Sequence, residues 1–319
     1  MTAQLHLNPT PPFNFDASLH KPDHFPSADN CWQPGVRWQT MRWQNKVLGL
    51  KLENQGSVDE PEVRCSIYAH EPLEDNFLEE LQDEIEFRYN LQMDLTEFYT
   101  RFQALPSLSH LIDRWRGMRP VNFSSLYEYL LISIMLQNAA VRRSVQMTQT
   151  LFEHFGTLVS FDDKALYCYW EPERLREVSE EELRGLKVGY RAKSIRRVTE
   201  SFLHGEIDEY ELRGKPKEEV RKSLLSLYGI GPASVGYVMS DVFHHHDEME
   251  HISPWEQKIY SKLFFDRDPE DPAPVSELLD YFNLHFAGYR NLAVHYFWED
   301  LWHRRMHEPV PWLEKLIRL

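Results

Sequence analysis

The spacing of hydrophobic residues along the chain changes near residue 105. Within the first hundred residues, "VRWQTMRWQNKVLGL" and "EVRCSIYAHE" alternate large apolar and polar positions with a period of two, which is typical of half-buried strands. The following segment "NFLEELQDEIEFRYN" instead spaces Phe77, Leu81 and Ile85 as on one face of a helix. These patterns predict an antiparallel sheet with one acidic helix packed on it.

Helical spacing dominates after residue 105. A helix pair is predicted within "SLYEYLLISIMLQNAAVRRSVQMTQTLFEHFG", and Ser179 with Glu182 forms a capping-box pattern before the next helix. Further on, Ser253, Pro254 and Glu256 have the order of an N-cap, a first-turn proline and an acid three positions after the cap. The fold class predicted is therefore α+β: an antiparallel sheet domain at 1–105 and an all-helical body at 106–319.

Composition narrows the class of protein. The 319 residues are 42% apolar and 27% charged, which suits a water-soluble globular protein of more than one domain and argues against wholesale disorder. The longest apolar stretch, near 129–136, is too short to span a bilayer, and the N-terminus lacks the pattern of a secretory signal. Three cysteines, odd in number and far apart, predict reduced thiols in a cytoplasm and cannot form a four-cysteine iron–sulfur site.

The net charge of −15 is unevenly distributed. Residues 1–110 hold 8 basic and 17 acidic side chains and residues 202–319 hold 13 and 21, whereas residues 111–201 hold 14 and 12. Within this middle third, residues 187–197 carry five bases and no acid. A local basic face of this kind can bind phosphate while the rest of the protein repels it.

The segment "LLSLYGIGPASVGYVM" carries the most chemical information. Gly229 and Gly231 flank an apolar residue, which lets the chain reverse sharply between two helices. The backbone amides at the start of the second helix then face outward as anion donors, aided by the helix dipole, and can hold a DNA phosphate. Taken alone, the same segment fits equally well to a helical hairpin without a ligand.

The hairpin "LYGIGPAS" resembles the signature of the helix–hairpin–helix DNA glycosylase superfamily, with Tyr228 in place of a proline. "LQNAAVRRS" and "VGYRAKSI" resemble segments of its 8-oxoguanine glycosylases, and "AGYRNLAVHYF" resembles the superfamily's C-terminal helix. "LNPTPPFNFDASL" and the sheet after it resemble the TATA-binding-protein-like domain shared with the alkyl-purine glycosylases. The resemblance covers nearly the whole chain in the same order, and it implies a DNA and base cleft between two halves of the helical body.

The resemblance also implies a set of DNA-contacting residues. Asn138 matches an asparagine that is inserted into the duplex, Tyr190 matches a wedge, and Arg143 and Arg191 match two arginines that read the cytosine opposite the lesion. The alternative for the arginines is a solvated helix face, and for Tyr190 it is packing. The basic run and the hairpin complete the predicted DNA-binding set with Lys193, Gly229, Gly231 and Ala233.

Two departures from the superfamily affect the chemistry. Ala233 stands where the bifunctional members carry a lysine nucleophile, so no lysine-based lyase activity is expected. Ser253 stands where nearly all members carry a catalytic aspartate. Glu256, one turn into the same helix, is either a displaced catalytic acid or a capping-box residue that satisfies the Ser253 amide. Trp255 beside the expected pocket either stacks on a flipped base or packs.

The only ion that the resemblance implies is sodium or potassium, held by hairpin backbone carbonyls that here belong to Leu225, Leu227 and Ile230. The run "HHHDEMEH" also contains metal-ligating side chains. Ligands crowded into one short run rarely surround one ion well, so a polar loop is the preferred interpretation. No other cofactor and no iron–sulfur cluster are expected.

The sequence thus predicts a monofunctional DNA glycosylase of base-excision repair that recognises a flipped, damaged purine in duplex DNA. The alternative is a protein of the same fold that binds lesioned or distorted DNA without glycosylase activity, and a helical scaffold for protein partners is a distant third. The expected partner is duplex DNA containing a modified base, with no membrane partner. A cytoplasmic monomer associated with the bacterial nucleoid is expected.

Overall fold

In the computed structural model, which describes residues 3–20 and 27–317, the N-terminal part forms a five-stranded antiparallel sheet in the order β1-β5-β4-β3-β2. Its strands are β1 (Ala3–Leu7), β2 (Asn30–Gln33), β3 (Val36–Trp43), β4 (Lys46–Asn54) and β5 (Val63–Tyr68). A short helix, α1 (Phe15–Leu19), lies between β1 and β2. The predicted antiparallel sheet is confirmed.

The sheet buries one face against the predicted acidic helix, α2 (Asp75–Arg88). Phe77, Leu81 and Ile85 of this helix are buried in one cluster with Leu50 and Ile67, which are paired across β4 and β5. Asp75, Glu79, Glu80 and Asp83 of α2 are exposed, whereas Glu84 is buried and forms ion pairs with Arg88 and Arg213.

The remainder of the chain is mainly helical, and its helices are distributed between two hydrophobic clusters. One cluster is built by α5 (Leu126–Leu136), α6 (Val141–Phe155), α7 (Glu180–Leu183), α8 (Arg191–Leu203), α9 (Glu209–Arg213), α10 (Lys217–Leu225) and α11 (Pro232–Asp241). The second cluster is built by α3 (Thr96–Phe102), α4 (Pro106–Arg114), α12 (Pro254–Phe265), α13 (Val275–Phe286), α14 (Arg290–His307) and α15 (Pro311–Glu314). The helices therefore form two separate hydrophobic clusters.

The body predicted to be all-helical also contains a two-stranded hairpin, β6 (Thr157–Phe161) and β7 (Lys164–Cys168). This correction has a clear cause, since Val159, Phe161 and Leu166 alternate with polar residues and pack on Trp38 of β3. The strands are short, and their stability comes from this contact with the N-terminal sheet rather than from local sequence.

The ends of three segments meet at one surface. Helix α5 ends there, α8 begins there, and the turn between α10 and α11 lies beside them. Among the described helices, none combines the length and the apolar character that a bilayer crossing requires.

Candidate nucleic-acid interface and cleft

The turn between α10 and α11 needs a glycine at position 229 for two reasons. Gly229 has a φ of +80°, a region that side chains with a Cβ rarely adopt, and a Cβ there would lie 2.4 Å from Oγ of Ser194. Gly231 is the N-cap of α11 and has open space around its Cα, while Pro232 takes the first helical position. The first amides of α11 are thus approachable from outside.

The predicted inserted residue and the predicted wedge lie together beside this turn. Asn138 is exposed in the left-handed region, with a φ of +49°, and its Nδ2 is 3.5 Å from the Tyr190 hydroxyl. Tyr190, whose ring is 54% exposed, donates to the backbone carbonyl of Gln137 at 3.3 Å. Gln137 in turn donates from Nε2 to the carbonyl of Gly229 at 2.7 Å. Gln137, which the sequence interpretation missed, therefore joins the loop to the hairpin.

The two predicted cytosine-reading arginines have different surroundings. Arg143 is exposed and donates to the carbonyl of Lys187. Arg191 is only 6% exposed, and it donates to the carbonyls of Ile134 (3.1 Å) and Gln137 at the C-terminal end of α5. The Ile134 carbonyl also accepts from the amide of the C-cap residue Gln137 at 3.3 Å, so Arg191 adds a side-chain cap to the end of α5. Its guanidinium faces the protein, and a base-reading role for Arg191 stays a prediction.

The five bases of 187–197 do not form one uniform surface. Arg196 and Arg197 both contact Glu200, at 2.8 and 3.4 Å, and Arg196 also donates to backbone carbonyls. Lys193 is exposed, and its Nζ lies 4.9 Å from the centre of the Tyr228 ring on the hairpin. Of the three bases Lys193, Arg196 and Arg197, Lys193 is the one that lies at the hairpin.

The helix start at Ser253 has the predicted capping box. The Ser253 Oγ accepts from the amide of Glu256 at 3.3 Å, and Glu256 Oε2 accepts from the amide of Ser253 at 2.9 Å. Oε1 of Glu256 also accepts from the hydroxyls of Tyr237 and Tyr260, the latter at 3.3 Å. Burial raises the pKa of Tyr260 well above its usual range, so this hydroxyl remains a donor.

Glu256 is therefore a buried carboxylate, 8% exposed, that accepts three hydrogen bonds. Three donors on two oxygens fix the orientation of this side chain. Tyr237 lies one turn after Ala233 on α11, and its ring is 47% exposed although its hydroxyl reaches Glu256. The sequence interpretation missed both Tyr237 and Tyr260. The available signal was their spacing, since Tyr237 lies four residues after Ala233 and Tyr260 lies four residues after Glu256.

No lysine occupies the place of the superfamily's nucleophile. Ala233 lies in the first turn of α11, and its side chain has no chemical function. Lys258, the nearest lysine in α12, forms an ion pair with Glu270 at 3.0 Å. The Lys258 amine therefore already has a carboxylate partner.

Trp255 packs against the C-terminal part of the chain. Its indole N–H donates to the carbonyl of Leu316 at 3.1 Å, and its ring meets that of Trp298 edge-on with centroids 5.4 Å apart. The ring remains 38% exposed. These contacts favour the packing interpretation over stacking on a base.

The histidine-rich loop after α11 is a packed polar loop. Within residues 3–20 and 27–317 there is no group of three or more side chains placed to hold a metal ion. His244 lies against the Phe87 ring with centroids 4.5 Å apart, and burial lowers the pKa of His244 to about 4. Burial likewise lowers the pKa of His246 to about 3, so both rings are neutral at pH 7.

The hairpin carbonyls predicted to hold a monovalent cation are mostly free. The carbonyl of Leu227 accepts from the amide of Ile230 at 3.2 Å, whereas no described backbone amide donates to the carbonyls of Leu225 and Ile230. Carbonyl oxygens are hard ligands that suit sodium or potassium. This donor set fits such an ion.

Comparisons with known proteins agree with this fold. No family profile matches the chain. A probable N-glycosylase/DNA lyase of Methanothermobacter thermautotrophicus is 25% identical over 235 residues, covering 66% of this chain and 74% of its own. The solved 3-methyladenine DNA-glycosylase of Archaeoglobus fulgidus superposes with a TM-score of 0.74 at 16% identity, covering 96% of this chain and 100% of its own.

A third similar protein was solved with double-stranded DNA containing cytosine opposite 8-oxoguanine. It is the 8-oxoguanine glycosylase/lyase of Clostridium acetobutylicum, which superposes with a TM-score of 0.70 at 16% identity. The superposition covers 96% of this chain and 99% of that protein's chain. The overall fold of this chain is thus shared with these two solved proteins. The relatives in sequence and the neighbours in fold are DNA glycosylases, which matches the superfamily that the sequence resembles.

Proposed function

We propose that this protein is a monofunctional DNA glycosylase that removes a damaged purine from duplex DNA. The observation that carries the proposal is one exposed surface that combines the left-handed Asn138, the Tyr190 ring and the glycine hairpin at 227–233. Tyr237, one turn after Ala233 on α11, links the helix that follows the hairpin to the carboxylate of Glu256. The names of its relatives and of the solved proteins that share its fold support the same class of reaction.

Asn138 and Tyr190 would fill the gap that a flipped nucleotide leaves in the duplex. Extruding a base costs a few kcal/mol, and a protein offsets this cost by stacking and hydrogen bonding in the vacated space. Asn138 projects from a tight left-handed loop whose neighbour Gln137 is bonded to the hairpin, so the loop is held in place before DNA binds. Arg143, which is exposed five residues after Asn138, would contact the orphaned base.

The hairpin would hold the DNA backbone. The amides at the start of α11 are approachable, and the positive end of the helix dipole favours an anion there. The carbonyls of Leu225, Leu227 and Ile230 would hold a sodium or potassium ion. When bound, this ion supplies a positive charge that attracts a DNA phosphate.

The chemical step we propose is hydrolysis of the bond between the base and C1′ of the sugar. The bond electrons leave with the base, positive charge develops on the sugar, and water adds to C1′ with loss of a proton. Glu256 would stabilise the developing charge as a fixed anion, taking over from the aspartate that Ser253 replaces. Because Ala233 offers no amine, no covalent imine forms and the DNA strand stays intact.

A second function is favoured by one specific observation. Ser253 is neutral, and all three recorded hydrogen bonds of Glu256 are to groups within the protein. If Glu256 is only a helix cap, the same surface would bind lesioned or distorted DNA without releasing a base.

Single-turnover assays on duplexes that each carry one modified purine separate the two functions. We expect base release without strand cleavage for at least one modified purine, with an intact duplex of the same sequence as control. Tight binding to a modified duplex without release would support the binding protein instead. Absence of binding to every duplex would refute both.

A further inference from the structure

Several exposed apolar and aromatic side chains gather at the proposed DNA-contact surface. Four of them, Leu136, Tyr190, Leu225 and Tyr228, are between 41% and 54% exposed and lie on the ends of α5, α8 and α10 and on the hairpin. Exposed side chains that cluster in this way mark a binding surface more often than scattered ones do. Tyr228 is the aromatic member of this group that has no role in the function proposed above.

Tyr228 points outward from the tip of the hairpin. Its neighbours in the turn, Leu227 and Ile230, are 6% and 5% exposed and anchor the turn in the hydrophobic cluster, whereas Tyr228 is 48% exposed. Gly229, next to it, is held by the hydrogen bond from Gln137 and by its contact with Ser194. The Tyr228 ring is therefore carried on a fixed turn, which lowers the entropy lost when it contacts a ligand.

A lysine accompanies Tyr228. Nζ of Lys193, from the first turn of α8, lies 4.9 Å from the centre of the Tyr228 ring, within the range of a cation–π contact. Among the described residues, no carboxylate lies within 4 Å of this amine, unlike Arg196 and Arg197, which contact Glu200. The amine of Lys193 is thus available to a phosphate and lies beside the hairpin tyrosine.

Resting on the proposed function, we infer that Tyr228 and Lys193 form a joint phosphate-binding pair on the DNA strand held by the hairpin. The phenol supplies one neutral hydroxyl donor, and the ammonium group supplies a charge and up to three donors. A phosphate oxygen of the backbone is the ligand that matches this combination, because it accepts from both groups and carries the opposite charge. The pair would extend the contact made by the amides of α11 to an additional phosphate.

The two side chains predict different salt behaviour. Lys193→Gln removes one charge contact, so the slope of log K against log salt concentration should fall by about 0.9. Tyr228→Phe removes only a neutral donor, so affinity should fall about two- to tenfold at every salt concentration with an unchanged slope. Both substitutions change exposed groups at the tip of side chains, so the fold should be retained.

The test uses fluorescence anisotropy with the full chain and two labelled duplexes, one unmodified and one with a tetrahydrofuran abasic analogue, between 50 and 200 mM salt. Tyr210→Phe and Lys215→Gln are matched controls, because both residues lie beyond the C-terminal end of α8 and away from the hairpin. Wild-type affinity and slope in both hairpin variants, with a wild type that binds, would overturn the pair and leave the proposed function intact. A wild type that binds neither duplex would overturn the proposed function as well.

Discussion

Replacing Glu256 by glutamine tests whether this carboxylate has a chemical role beyond capping α12. Glutamine keeps the size of the side chain and one oxygen acceptor but removes the charge. Removing one group that stabilises charge in a transition state typically lowers a rate by about 10²–10³. We therefore expect Glu256→Gln to lower single-turnover base release by about this factor while duplex affinity stays within about threefold.

The structure also predicts a loss of stability in this variant. Glutamine has one acceptor oxygen, so it can accept from the Ser253 amide or from the two tyrosine hydroxyls but not from all three, and the bonds that remain are to a neutral amide. A bond to a charged group contributes about 1 kcal/mol more than a neutral one, so the free energy of unfolding should fall by about 1–3 kcal/mol. For a protein of this size, each kcal/mol corresponds to about 2–4 °C in the unfolding temperature.

Ser253→Ala is the matched control for this stability loss. It removes the side-chain half of the same capping box, at a cost of about 1 kcal/mol, and leaves the carboxylate of Glu256 in place. Base release by Ser253→Ala should stay within a few-fold of the wild type. If Glu256→Gln retains wild-type release, or if both variants lose it equally, Glu256 is a structural cap and the proposed step is refuted.

Three further predictions concern the cap, the missing amine and the buried histidines. Ser253→Asp should raise the rate of base release, whereas Ser253→Asn, an equally good cap without charge, should not. Equal single-turnover rates of base release for the two variants would contradict this prediction. Borohydride should trap no imine with lesion DNA, since Ala233 has no amine; efficient trapping on a denaturing gel would implicate another lysine such as Lys258. Burial lowers the pKa of His244 and His246 to about 4 and 3, whereas a histidine in the unfolded chain has a pKa of about 6.5. The stability that depends on these two neutral rings is therefore fully present above pH 6.5 and is lost as the pH falls towards the folded-state values. In urea unfolding, the free energy of unfolding at pH 5.5 should be about 1–3 kcal/mol lower than at pH 7.5. His244→Asn should reduce this difference, and asparagine suits the left-handed backbone at that position. An unchanged pH dependence in this variant would contradict the role given to the His244 ring.

Local signals were sufficient for most elements of the fold. The cap at Ser253, with its proline and its acid, was predictable because capping depends on residues within one turn. The hairpin at 227–233 was predictable because glycine at 229 meets a backbone requirement that few other residues satisfy. The β6–β7 hairpin was not predicted, since its stability depends on Trp38, more than a hundred residues earlier.

The candidate site was only partly predictable for the same physical reason. The pairing of Asn138 with Tyr190 followed from the resemblance, but the bond from Gln137 to Gly229 joins residues 92 positions apart. The burial of Arg191 depends on how α8 packs against the end of α5, which no local pattern reports. Long-range contacts of this kind decide whether an arginine faces DNA or caps a helix.

The most direct test of the central claim is single-turnover base release by the wild-type protein on a panel of duplexes that each contain one modified purine. We predict release of the free base from at least one duplex, leaving an abasic site that breaks only on alkaline treatment. Failure to bind or process any duplex of the panel would contradict a DNA glycosylase function for this chain.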